Sequence, residues 1–177
     1  MPFNLQSLSV SGTPKALFEI LKFEGAQNAL PASNFFLGGS VAAYAIAKAV
    51  LHGLDHSLTS ALIFGVFTAA LLSGMAYVIL RLYKSSDQLV QTLAALAATG
   101  AVLTLASIVL HFVFAVALPP PLPTTKLVNF LLFPIALWIV FMYAFLFRHA
   151  KLRTLPAFAL AATYVIVTDF IVATLLR

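Results

Sequence analysis

The sequence predicts an all-α fold, a polytopic transmembrane helix bundle of five spans with a short amphipathic helix ahead of them. Three observations carry that prediction. The 177 residues are 62% hydrophobic and only 8% charged, against about 45–50% apolar and about 25% charged in an ordinary soluble domain. Five apolar runs each reach the roughly 20 residues a helix needs to cross a bilayer. The charged residues and prolines gather in the short gaps between those runs. With a mean hydropathy of +1.05, the bilayer rather than water must solvate most of the surface.

The tail, residues 1–33, holds "TPKALFEILKFEG". Thr13 suits an N-cap, Pro14 the first helical position and Gly25 the residue after the end, so a helix is expected over about 14–24. Lys15, Glu19 and Lys22 share one face and Leu17, Phe18, Ile20, Leu21 and Phe23 fill much of the rest. Such a helix either lies along cytoplasmic headgroups or packs on the protein's own loops. The interrupted apolar pattern does not read as a cleavable signal peptide.

Residues 34–177 form the expected membrane domain, with spans at about 34–54, 58–80, 91–118, 127–147 and 156–176. "HGLDHS", "RLYKSSDQ", "PPPLPTTK" and "RHAKLRTLP" separate them. Pro156 stands where a helix begins, a place where its missing N–H costs nothing. Pro119, Pro120, Pro121 and Pro123 read as a stiff extended connection, and Pro134 as a kink inside the fourth span. Lys and Arg number seven on the side of the N-terminus and two on the other, with Lys48 set aside as intramembrane. The positive-inside rule then puts the N-terminus in the cytoplasm and the C-terminus outside.

A "TPKALFEIL" tail followed by five spans resembles bacterial five-span membrane proteins of the Yip1 family, whose eukaryotic members take part in vesicle trafficking. The resemblance implies a non-enzymatic protein of the bacterial cytoplasmic (inner) membrane. The acidic-Leu-Tyr-Gly-Pro signature of the eukaryotic proteins is missing, so neither a trafficking role nor any functional residue carries over.

Small residues mark expected packing faces. Gly38 and Ala42, like Gly39 and Ala43, are four apart, and "AALAATGA" around Gly100 offers a similar surface. Such spacing lets backbones approach closely, within one subunit or across a homo-oligomer, and it makes the first and third spans central.

Polar residues inside the spans are the candidate site. Lys48 and Asp169 stand at similar distances from the outer ends of spans one and five, and His111 reaches a comparable depth in span three. Lys48, His52 and Asp55 follow at i, i+4 and i+7 along one side, and Asn129 lies at the outer start of span four. A buried charge costs about 2.5–3.5 kcal/mol at a helix centre on insertion scales, which pairing offsets, so Lys48 and Asp169 are expected within salt-bridge distance. The cluster fits a structural ion pair, a proton or cation relay, or a small-molecule pocket for a quinone or lipid headgroup. Haem ligation by His111 with His52 or His56 is chemically adequate but has little spacing support, and no cofactor or metal is expected.

Catalytic motifs are lacking. There is no phosphate-binding Gly-rich loop, no HExxH, no carboxylate pair beside a histidine in one loop, and no cysteine for thiolate or Fe–S chemistry. The net charge of +5 is spread over inter-span gaps instead of one water-facing patch, which argues against nucleic acid. "RLYK" and "RHAKLR" are basic patches that set topology and attract anionic lipid. The reading is a non-catalytic scaffold or accessory subunit binding lipid or other membrane proteins, with a small transporter or channel subunit as the alternative.

Overall fold

A computed structural model describes residues 12–118 and 125–175, and within them there is helix and no strand. The order is α1 (Thr13–Leu21), α2 (Asn34–Gly53), α3 (Leu58–Leu82), α4 (Leu89–Ala117), α5 (Thr125–His149) and α6 (Thr154–Ile166). A π-helical turn, Val167–Val172, and a last short helix, α7 (Ala173–Leu175), continue from α6. Helices α2 to α5 are long and apolar enough to cross a membrane, whereas α6 alone is shorter. The four long helices fall on the first four expected spans, shifted by no more than two residues at either end. The proline-rich connection lies outside the described residues.

Local chemistry explains the helix ends, with one correction. Gly12, not Thr13, occupies the N-cap of α1 and Thr13 is already helical, while Pro14 sits in the first turn as expected. Helix α1 stops at Leu21, short of the expected end near residue 24, and Phe23, at φ 63°, rather than Gly25 takes the position after the end. At the start of α3 the Ser57 hydroxyl accepts from the Ser60 amide at 3.4 Å, a conventional N-cap. Pro134 lies inside α5, which runs on through it.

Three helices close with a non-glycine residue in the left-handed region: Phe23, Lys84 at φ 53° and Lys151 at φ 72°. Each following turn returns an amide to the helix, Glu24 to the Glu19 carbonyl at 2.9 Å, Ser85 to Leu80 at 2.8 Å and Leu152 to Phe147 at 3.2 Å. This is the Schellman arrangement, which glycine usually completes. An L-residue there costs about 1–2 kcal/mol, and glycine's extra unfolded-state entropy returns about 0.5–1 kcal/mol of that. Lys84→Gly and Lys151→Gly are therefore expected to stabilise the fold by about 0.5–1 kcal/mol each, read as a raised thermal midpoint in detergent. A fall in both midpoints would refute the account.

Helix α4 is the central element. Every residue from Thr92 to Ala101 is buried, because small side chains let neighbours close in from all sides. Helix α2 packs chiefly against α3 and α4, α5 against α4 and α6, and α1 against α4. The apolar face of α1 is thus used by the protein itself, with Ile20 fully buried in the core. Its other side remains outward: Phe18 is exposed and Lys22 lies 4.5 Å over its ring.

The outer faces are apolar. Phe35, Leu62, Val66, Leu105, Val116 and Phe130 are all exposed, a surface water would not tolerate on a monomer. Gly38, Gly39, Ala42 and Ala43 also lie on the exposed side of α2, with no atom within 4 Å of the position a Cβ would take on either glycine. Within this chain neither glycine makes a close helix contact. That contact falls at Gly65 of α3 instead, where a Cβ would overlap the Ala45 carbonyl and come 2.8 Å from the Ala49 Cβ.

Candidate functional site

Helix α2 carries a buried polar side chain at every fourth residue: Ser40, Tyr44, Lys48 and His52. Residues four apart stack on one face of a helix, so α2 presents a polar stripe to the bundle interior. Each member below Ser40 finds a partner on another helix.

Lys48 meets Asp169. The Nζ donates to Oδ1 at 2.7 Å, with the lysine side chain 6% and the aspartate side chain 30% exposed. Asp169 belongs to the π-helical turn. In a regular α-helix, at 3.6 residues per turn, residues five apart point about 140° away from each other. Tyr164 of α6 and Asp169, five apart, nevertheless both reach α2, at Tyr44 and Lys48, and the wider π-turn begins between them at Val167. Thr168 is buried beside them and returns its hydroxyl to the Tyr164 carbonyl at 2.9 Å.

One turn away from the ion pair lies a tyrosine cluster. The Tyr44 and Tyr164 hydroxyls are 2.7 Å apart, and Tyr164 donates to the Thr68 carbonyl of α3 at 3.1 Å. A phenol has one proton to give, so Tyr44 is the donor to Tyr164, and a directed chain runs from α2 through α6 to α3. Tyr143 of α5 adds its ring at 5.7 Å from that of Tyr164. Its hydroxyl is buried without a well-formed hydrogen bond. The Tyr143 hydroxyl and the Tyr44 ring edge both close over Gly100 of α4, where a Cβ would overlap them. Helices α2 to α6 therefore all meet at these three phenols.

Toward the end of α2 the stripe continues into histidines. His52 Nε2 pairs with the Ser60 hydroxyl at 3.2 Å, and its ring stacks between Phe64 at 4.3 Å and His56 at 4.1 Å. His56 Nδ1 donates to the His52 carbonyl at 3.1 Å.

The sequence-predicted residues are thus divided. Lys48 and Asp169 are joined, and His52 lies one turn from Lys48 on the same stripe. Asp55 is exposed in the turn after α2. His111 keeps a ring contact with its neighbour Phe112, and among the described residues no bond ties it to the ion pair. The Asn129 side chain lies outside the described part of the structure. Among the expected packing residues, Gly100 is the one at a close contact. Among the described residues no three His, Asp or Glu side chains gather as a metal site would need. Tyr44, Tyr143, Tyr164 and Thr68 escaped the sequence reading, although the four-residue spacing from Ser40 to His52 was there to be seen.

Comparison with family models, with curated proteins and with solved structures gives no match.

Proposed function

We propose that this chain is a non-catalytic integral membrane protein, a Yip1-like scaffold or accessory subunit that works through lipid and membrane-protein contacts on its outer faces. Its setting would be the bacterial inner membrane, with the N-terminus cytoplasmic as the seven-to-two distribution of Lys and Arg favours. The helical run from Thr154 to Leu175, about 33 Å long at roughly 1.5 Å per residue, supports a fifth span.

One observation carries the reading. The buried Lys48 pairs with Asp169 toward one end of the bundle, and the core of the other half is mainly apolar. On the cytoplasmic side of the tyrosines the core is Leu72, Leu80, Leu96, Leu146 and Phe147, all fully buried, with no ionisable side chain among them. A proton or cation path calls for ionisable groups along its length, and the buried polar residues of this half, Gln27, Ser85 and Thr92, are all uncharged.

A second reading has one observation in its favour, the π-turn that carries Asp169, since π-bulges concentrate at functional sites. It makes the protein a small proton or cation carrier. Proteoliposome flux separates the two. The scaffold reading expects proton and cation flux equal to that of protein-free vesicles for the native chain, for Lys48→Ala and for Asp169→Asn. Native flux abolished by Asp169→Asn in folded protein would replace it with the carrier reading.

A further inference from the structure

A groove of about 600 Å³ runs between α5 and α6. Its walls are aromatic, formed by Trp138, Phe141, Phe145 and Phe158, with Phe23 closing one side from the turn after α1. The Phe23 ring lies 6.3 Å from Trp138 and 5.3 Å from Phe145, so the left-handed turn that ends α1 also builds this wall. Pro134 lines one end and Arg148 the other. They are fourteen residues apart on one helix, about 21 Å at 1.5 Å per residue. Half the roughly 30 Å hydrocarbon core is about 15 Å, so the groove runs the depth of one leaflet and emerges at headgroup level.

The mouth is cationic. Arg148 is exposed, and the ion pairs among the described residues, Lys15–Glu19 and Lys48–Asp169, leave it without a carboxylate. Thr154, the first residue of α6, lines the same mouth, bringing the positive end of that helix to it. Lys151 and Arg153, both exposed, flank it in the α5–α6 turn.

We infer that this groove is a binding site for one anionic phospholipid of the cytoplasmic leaflet. One acyl chain lies along Trp138, Phe141 and Phe158, and the phosphate is held by the Arg148 guanidinium at the N-terminal end of α6. The depth, the apolar wall and the unneutralised charge at one end together fit that occupant. The orientation it needs is that of the scaffold reading, and the inference rests on that reading in this respect.

Trp138 is the sole tryptophan and lines the groove, so it reports the occupant directly. The native chain is reconstituted in phosphatidylcholine vesicles containing equal fractions of either brominated phosphatidylglycerol or brominated phosphatidylcholine, and Trp138 quenching is compared. The expected relative affinity is about fivefold in favour of phosphatidylglycerol, the worth of one arginine near a charged surface. It falls toward parity in Arg148→Gln, is largely kept in Arg148→Lys, and declines with salt in the native protein. Equal quenching by the two lipids, no quenching by either, or a preference that Arg148→Gln leaves intact overturns the proposal. If Arg148→Gln does not fold, a native preference unmoved by salt does the same. Flux measurements do not read this groove and Trp138 quenching does not read flux, so failure of the scaffold reading and failure of the lipid site are distinguishable.

Discussion

Asp169→Leu lowers the thermal midpoint in detergent the most, Lys48→Met somewhat less, and the two together least of all. Either single change leaves a charge without its partner in a site where that charge has little solvent. The measured cost of breaking a buried pair is about 3–5 kcal/mol, on the order of 10 °C for a chain of this size. The order of the two singles follows from exposure. Asp169→Leu strands the lysine, whose side chain is 6% exposed, whereas Lys48→Met strands an aspartate that is 30% exposed. Replacing both by apolar residues of similar volume removes the desolvation cost together with the attraction, so the double variant is expected within about 1 kcal/mol of the native chain. A double-mutant cycle in which the single losses simply add would mean that the 2.7 Å contact does not hold α2 to the α6 segment.

The pair was legible because depth is legible. Counting residues from the end of each apolar run at about 1.5 Å per residue placed Lys48 and Asp169 at one level, and two opposite charges alone in lipid have strong reason to meet. Direction around the helix axis is another matter. His111 has a similar depth, yet its recorded ring contact is with Phe112, because rotation about α4 depends on how α4 packs. The same limit applies to the small residues of α2, which the spacing left open to a contact within one subunit or across a homo-oligomer and which lie exposed in the single chain. The spacing of Gly38 with Ala42 and Gly39 with Ala43 says that a neighbour could approach closely, and nothing in it says on which side the neighbour stands. The tyrosines were hidden for a different reason. Tyrosine in a membrane span ordinarily signals the headgroup interface, and Tyr143 and Tyr164 gain their meaning only when α5 and α6 are laid beside Tyr44. The π-turn that carries Asp169 has no marker in "VTDFIV" at all.

Gly65→Ala is the second large effect, and it tests where helix packing is tightest. A methyl group at Gly65 would collide with the Ala45 carbonyl oxygen, approach the Ala49 Cβ to 2.8 Å and the Ala49 amide nitrogen to 3.1 Å. Two of these are backbone atoms, which cannot turn aside, so α2 and α3 must separate. Thr68 is one turn farther along α3 and its carbonyl accepts from Tyr164, so the displacement reaches the tyrosine chain as well. The expected loss is about 2–3 kcal/mol, at the upper part of the usual range for overpacking. Gly39→Ala is the matched control. It has open space and is expected to gain about 0.5–1 kcal/mol from helix propensity alone. Midpoints that move together in the two variants would sink this account. Gly100→Ala belongs with Gly65→Ala but differs in its remedy, since the nearest atom there is the Tyr143 hydroxyl. That hydroxyl makes no well-formed hydrogen bond, so Tyr143→Phe removes the obstruction at little cost. The combined variant should recover part of the stability that Gly100→Ala loses, with the Tyr44 ring edge at 2.8 Å accounting for what is not recovered.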